Sequence, residues 1–118
     1  MSLIARYLEE NGMPTVIIGS AIDIVEFCGV PRFLFVDFPL GNPCGKPFDR
    51  DMQKRIVSHG LSLLESADEP NATVPSEESW GSDDWRANYM RVDESNRELL
   101  AKKGAELRVK RKTRVPRD

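Results

Sequence analysis

The stretch RFLFVDFPLGNPCGKPFD, residues 32–49, is the most informative part of this chain. It opens with a mostly apolar run, which predicts a buried strand over 32–36. A loop rich in proline and glycine follows, and Asp49 stands where a helix is expected to begin. In open α/β sheets such loops lie at the carboxyl ends of strands, where ligands bind. We therefore expect a functional site, or one wall of it, in this loop.

Helices and strands alternate on both sides of the loop. Apolar residues at helical spacing predict a helix over 3–10, and the β-branched run over 15–18 is typical of a strand buried on both faces. Ser20 is expected to cap a second helix over 21–27. A long third helix is predicted over 50–66. The order indicates an α/β fold, a Rossmann-like or flavodoxin-like half-unit with α-β-α-β-loop-α order and a C-terminal helical, basic arm.

Two predicted strands are few for a parallel sheet, which normally has more strands and is covered on both faces. Either a third strand is hidden at Thr73-Val74, or another subunit completes the sheet. We favour completion by another subunit, because Trp80 and Trp85 lie in or beside an acidic segment that is typical of an arm on a partner.

The predicted organisation is an α/β domain over 1–66, a linker or arm over 67–82 and a C-terminal helical arm over 83–118. A short helix bearing Trp85, Tyr89 and Met90 is predicted at the start of this last segment, and a charged helix over 94–112 follows.

The charge of the chain is unevenly distributed. Net charge is −2 overall, but residues 101–118 carry eight basic and two acidic side chains, whereas the first hundred sum to −8. Such a tail, which includes Arg114 and Arg117, could contact nucleic acid, an anionic surface or an acidic patch on a partner, or remain solvated. No interleaved aromatic residues accompany the charge, which disfavours nucleic acid.

The composition narrows the class of protein. No apolar run approaches the roughly 20 residues needed to span a bilayer. The N-terminus, with Arg6 and two glutamates, lacks the pattern of a signal peptide. Cys28 and Cys44 are too few for a disulfide framework and match no zinc motif. We expect a cytoplasmic protein with two free thiols and no membrane partner; the sequence assigns no cofactor and no metal ligands.

Cys44 and Asp37 are the candidate catalytic residues. Cys44 lies in the loop shortly before a helix N-terminus, whose partial positive charge favours a reactive thiolate. It is otherwise a structural loop cysteine or, less plausibly, a metal ligand. Asp37 ends the second strand, where catalytic carboxylates often lie, but its side chain could equally cap the loop by accepting backbone hydrogen bonds.

The loop also supplies candidate substrate-binding residues. Gly41, Asn42 and Gly45 could direct backbone N–H groups at an anion such as a substrate carboxylate. Lys46 and Arg50 are placed to add positive charge, although surface exposure is the ordinary state of both residue types. A loop of this composition is also simply a well-ordered turn.

His59 and Cys28 are expected to have structural roles. His59 falls on the apolar stripe of the third helix, where a half-buried, hydrogen-bonded histidine is expected; an acid–base role is the alternative. Cys28 ends an apolar helix face and is expected to pack as a small hydrophobe.

Two ordered segments carry a family resemblance: ENGMPTVIIGS, and CGVPRFLFVDFPLGNPCGKP followed by a long helix. They resemble the C-terminal region of the selenoprotein B family of glycine, sarcosine, betaine and D-proline reductases. In that family a helix leads into a G-I-P-T/V-V strand, and a second strand ends in a P-L-G-N-P loop. The matching positions are residues 12–16 and 39–43, and the resemblance covers about 1–66.

The resemblance implies reductive cleavage of a carbon–nitrogen bond in a small amine or amino acid. The attacking selenol or thiol of the family belongs to a U-x-x-C or C-x-x-C motif before the first helix, and this sequence contains neither. Phe38 stands where the family often has His. The resemblance thus predicts a small subunit of a heteromeric reductase whose nucleophile comes from another chain, or from an upstream extension of this one. The alternatives are a non-catalytic assembly subunit and a metal-dependent enzyme subunit on the same scaffold.

Overall fold

The computed structural model describes residues 1–89 and 91–112; Met90, Arg114 and Arg117, which figured in the predictions, lie outside this part. The described residues form two compact units, one from Met1 to Trp85 and one that begins at Arg86. The helices and strands, in chain order, are α1 (Ser2–Glu10), β1 (Ile17–Gly19), α2 (Ile22–Cys28), β2 (Arg32–Phe35), α3 (Arg50–Ser66), β3 (Ala72–Pro75), α4 (Asp84–Asn88) and α5 (Arg97–Lys112).

The three strands form one parallel sheet in the order β1-β2-β3. Ile17 pairs with Phe33 across the first ladder, and Arg32 pairs with Ala72 across the second. The α/β class is therefore confirmed. The strand hidden at Thr73-Val74, which we ranked below completion by another subunit, is present as β3.

The core lies between β2 and one face of α3. Leu34 and Ile56 are fully buried there, together with Val36 and Phe38, which follow β2. The buried cluster comprises Leu34, Val36, Phe38, Met52, Ile56 and Leu63. Phe33 is buried in the neighbourhood of Gly19 and Val25, so β2 has buried side chains beside both of its crossover helices. This agrees with a central parallel strand.

One of the two predicted helix N-caps is observed and the other is not. Asp49 is the N-cap of α3, and its carboxylate accepts a hydrogen bond from the backbone N–H of Met52 at 3.0 Å. The prediction that Ser20 caps α2 is wrong. The helix begins at Ile22 with Ala21 as its N-cap, so Ser20 lies one residue too early to reach the first turn.

An ion pair ties α1 to β2. The carboxylate of Glu9 accepts hydrogen bonds from the backbone N–H and hydroxyl of Thr15 and from the guanidinium of Arg32, the last at 2.7 Å. Partial burial opposes ionisation of Glu9, but the hydrogen bonds from Thr15 and the charge of Arg32 together outweigh it. They lower the pKa of Glu9 below its ordinary value of 4.5.

The Glu9 contacts predict a specific loss of stability in acid. Because the folded-state pKa is lowered, the stabilisation is complete well above pH 4.5 and disappears as the pH falls through the folded-state value. We expect Glu9→Gln to reduce the free energy of unfolding by about 1.5 kcal/mol at pH 7, the lower end of the range for a hydrogen bond to a charged group. Urea unfolding at pH 7 and at acid pH should show the gap between wild type and variant closing in acid. Glu10→Gln, on the same helix, is the control. A gap that stays constant with pH would contradict the assignment.

Helices α1 and α2 contact each other but leave large apolar side chains in solvent. In α1 only Ala5 is buried, while Leu3 is 78% exposed, and in α2 Phe27 is 94% exposed. The exposed apolar residues of these helices, here called the α1/α2 face, are Leu3, Ile4, Tyr7, Ile22, Ile24 and Phe27. Large apolar side chains exposed in this number on two contacting helices make these helices a candidate interaction surface. No helix in the described part of the chain is long and apolar enough to cross a membrane.

Candidate functional site at the carboxyl end of the sheet

The loop that follows β2 is held by its own backbone. The N–H of Asn42 donates to the carbonyl of Pro39 at 3.0 Å, and the N–H of Gly45 donates to the carbonyl of Asn42 at 3.2 Å. The side-chain amide of Gln53, in α3, donates to the carbonyl of Lys46 at 2.7 Å. Consecutive turns and the hydrogen bond from Gln53 thus hold the loop against the first turns of α3.

Gly45 is the point of closest approach between the loop and α3. It is buried with φ +112°, and a Cβ at this position would lie 3.2 Å from Cγ of Gln53 and 3.3 Å from Cγ of Met52. Gly41 also has a positive φ, +98°, but a Cβ there would meet nothing within 4 Å. Gly45 is therefore required for both conformation and space, and Gly41 for conformation alone.

The predicted catalytic residues lie at the surface of this loop. Cys44 and Asp37 are both exposed, and Cys28 and Cys44 are both free thiols. In the described part of the chain, no three His, Cys, Asp or Glu side chains come together in a way that could hold a metal ion. Catalytic roles for Cys44 and Asp37 stay predictions.

The predicted anion-binding donors are partly occupied. The N–H groups of Asn42 and Gly45 take part in the turns described above, and the side-chain amide of Asn42 approaches the carbonyl of Pro39 at 3.5 Å. Two of the three predicted backbone donors therefore already have partners, and substrate binding by this loop stays a prediction.

Trp80 covers the loop from the segment that follows β3. Its ring packs edge-on against Phe38, with centroids 5.2 Å apart, and Nζ of Lys46 lies 5.6 Å from its centroid. Trp80, which is half-buried, also packs against the core of this same chain. It reaches the loop because β3 is parallel to β2, so that the residues after β3 emerge at the same edge of the sheet as the loop. Its contact with a partner stays a prediction.

A second group of polar side chains lines a cleft of about 330 Å³ beside α3. Its lining residues, here called the His59 cleft, are Arg55, His59, Ser76, Glu77 and Glu78. Arg55 donates to both carboxylate oxygens of Glu78, one of them at 3.1 Å. This hydrogen bonding lowers the pKa of Glu78 and raises the pKa of Arg55.

His59 is half-buried, as predicted, but the hydrogen bond that we expected for it is missing. In the described residues its imidazole has no hydrogen-bond partner; only its backbone carbonyl accepts, from the hydroxyl of Ser62 at 2.7 Å. The proximity of His59 to Glu77 and Glu78 was not predictable from the sequence, because the position of those two residues follows from β3.

Comparison with known proteins gives one relative. A segment of 73 residues is 33% identical to D-proline reductase subunit gamma of Acetoanaerobium sticklandii. The segment covers 62% of this chain and 30% of that subunit, so the match spans less than a third of the relative's length. No protein-family model and no solved structure matches the chain. The chain is thus distantly similar to a reductase subunit, while the narrower resemblance to selenoprotein B stays a prediction.

Proposed function

We propose that this chain is a small subunit of a heteromeric reductase that acts on a small amine or amino-acid-like substrate by thiol or selenol chemistry. The observation that carries the proposal is the similarity to D-proline reductase subunit gamma. In this proposal the loop from Asp37 to Pro47 forms one side of the active site, at the carboxyl end of the parallel sheet. The complex is assigned to the cytoplasm, in keeping with two free thiols.

The principal nucleophile is assigned to a partner chain. The sequence has no C-x-x-C motif, and Cys44 is a single exposed thiol on a fixed loop. Because Cys44 is exposed, a sulfur or selenium atom of the partner can reach its thiol, which would then act as a second thiol beside the principal nucleophile. Lys46, held beside Trp80, places a positive charge next to this loop, where a substrate carboxylate would be favoured.

The partner is proposed to bind the α1/α2 face. This face exposes large side chains such as Leu3 and Phe27, and aromatic and aliphatic side chains of this kind anchor interfaces. In the described residues the outer edges of β1 and β3 are unpaired, so a partner could also extend the sheet. The strand order agrees with one half of a Rossmann-like sheet, whose order is 3-2-1.

Assembly is tested by native mass spectrometry of this chain, alone and after co-expression with the protein encoded by its neighbouring gene. We expect a stable heteromer, and we expect Phe27→Asp to abolish it because a charge would be buried at the interface. Leu61→Asp, at an exposed apolar position of α3, should leave the heteromer intact. A folded wild-type chain that does not bind the co-expressed protein would overturn the proposal.

Turnover is tested on the purified heteromer, with D-proline as the first substrate. If Cys44 takes part in the reaction, Cys44→Ser should lower kcat about a hundredfold, the lower end of what a positioned catalytic side chain contributes. Native mass spectrometry should show an intact complex in the same sample, and Cys28→Ser should retain activity. Normal turnover of the Cys44 variant would instead favour an assembly subunit whose loop is structural.

A further inference from the structure

Phe48 presents its whole aromatic side chain to solvent. It lies between Pro47, the last residue of the loop, and Asp49, the N-cap of α3. The side chain is 100% exposed, and no other large apolar side chain in the described part of the chain is exposed to this extent. Phe38, in the same loop, is by contrast buried in the core. Burial within this chain therefore does not explain why position 48 carries an aromatic residue.

The backbone of Phe48 is also unusual for its residue type. Its φ is +66°, in the left-handed region. The backbone N–H of Asp49 donates to the carbonyl of Lys46 at 3.3 Å, which closes a four-residue turn with Pro47 and Phe48 at its centre. Proline followed by a residue with positive φ is the pattern of a type II turn, in which glycine or asparagine normally takes the second of these positions. Among the described residues, the other non-glycine with positive φ is Asn71, which is of a type that tolerates this conformation.

Two independent observations thus coincide at one residue: a strained backbone and an aromatic ring without contacts in its own chain. Glycine or asparagine would form the same turn without strain and without an exposed ring. Strained non-glycine residues concentrate at functional sites, and aromatic side chains are favoured anchors of protein interfaces. We propose that Phe48 is an interface anchor that inserts into an apolar pocket of the partner subunit, next to the thiol or selenol of that subunit. The choice of partner rests on the function proposed above.

The position of Phe48 in the chain identifies the surface that it would contact. It is four residues after the exposed thiol of Cys44, and a segment of that length spans at most about 14 Å. A partner that brings a sulfur or selenium atom to Cys44 therefore also has surface within reach of Phe48. The hydrogen bond from Gln53 to the carbonyl of Lys46 already holds this part of the loop, so docking requires little further ordering. Because phenylalanine has no polar atom to satisfy, the pocket that fits it is lined by aliphatic or aromatic side chains.

Phe48→Asn tests the proposal, because it should have opposite effects on the chain and on the complex. We expect the Tm of the full chain alone to rise by at least about 2 °C, since asparagine tolerates the left-handed conformation and no buried contact is lost. We expect the Kd of the heteromer to rise at least about tenfold, the loss typical of an interface anchor. Thermal unfolding gives the Tm, and calorimetric titration with the separately purified protein of the neighbouring gene gives the Kd. Leu61→Asn removes another exposed apolar side chain, in α3, and should leave the Kd unchanged without raising the Tm, because asparagine is the poorer helix former.

Three results would overturn the anchor role: a Tm that Phe48→Asn does not raise, a Kd that it does not change, or a wild-type homodimer that it dissociates, which would place a second copy of the chain on Phe48. A weaker heteromer whose wild-type form does not turn over D-proline would support the anchor and overturn only the reaction. An unchanged Kd, together with a loss of turnover in Cys44→Ser, would overturn only the anchor. If the wild-type chain forms no heteromer, the anchor and the proposed function are both overturned.

Discussion

Gly60→Val should destabilise the protein by about 3 kcal/mol, the upper part of the range for overpacking in a core. Gly60 is buried in α3 where the helix crosses the sheet. A Cβ there would lie 2.8 Å from Cδ1 and 3.1 Å from Cγ1 of Ile18, and 3.7 Å from Cδ2 of Leu34. Valine adds two methyl groups beyond that Cβ, so the helix must move away from β1. Urea unfolding of both proteins measures the change.

Gly104→Val is the matched control. Gly104 is also a helical glycine, in α5, but a Cβ there would meet nothing within 4 Å. At a helical position without close neighbours, exchange of glycine for valine changes the free energy of unfolding by only about 0.5 kcal/mol. The difference in the free energy of unfolding between the two variants therefore measures the contact with Ile18. Equal unfolding curves for the two variants would show that α3 does not approach the sheet as closely as described.

Gly45→Ala should disturb the candidate site directly. The backbone at Gly45 has φ +112°, and the added methyl group would lie 3.2 Å from Cγ and 3.4 Å from the backbone nitrogen of Gln53. Relief of this contact requires the loop or the side chains of Met52 and Gln53 to shift by a few tenths of an ångström, which strains the hydrogen bond from Gln53 to Lys46. We expect a loss of about 2 kcal/mol in the free energy of unfolding, from strain and crowding together. If the loop is part of the active site, turnover of the heteromer should fall as well.

Gly41→Ala separates conformational strain from crowding. Gly41 has φ +98° and open space around it, so alanine there has an unfavourable backbone conformation but its Cβ contacts no other atom within 4 Å. We expect a smaller loss, about 1 kcal/mol. Unfolding measurements on both variants give the contribution of packing at Gly45 as the difference. If the two losses were equal, the close approach of the loop to α3 would have no energetic consequence.

The long third helix was predictable because its signals are local. The structure gives Arg50–Ser66, the same limits as the sequence analysis. Met52, Ile56 and Leu63 recur at helical spacing, and Asp49 supplies the N-cap three residues before the N–H that it binds. Each of these features can be read within one or two turns of the chain.

The third strand was harder to predict because its stability is not local. Ala72–Pro75 is four residues long, ends in proline and lies in a polar, acidic segment that is typical of a linker. Its strand conformation depends on pairing with β2, forty residues earlier in the sequence. The contacts of Trp80 and the His59 cleft depend on the same pairing, and for this reason the sequence indicated the loop but neither its cover nor the cleft.

The loop after β2 was predictable only in part. Its position after β2 and its rigidity follow from proline and glycine content, which is local information. Local information does not show which N–H groups remain free, because the turns of Asn42 and Gly45 depend on how the loop closes on α3. Two of the predicted donors are therefore already hydrogen-bonded within the loop, and a ligand-binding role for the loop stays a prediction.

The all-parallel sheet also has a consequence for the order of folding. Neither ladder can start from a hairpin, because both need a helical crossover between the paired strands. Ile17 and Phe33 are 16 residues apart, whereas Arg32 and Ala72 are 40 apart. Closing the longer loop costs about 0.8 kcal/mol more in chain entropy. We expect β3 to join the sheet last and to leave it first, so the Trp80 contact and the His59 cleft belong to the latest-forming part of the molecule.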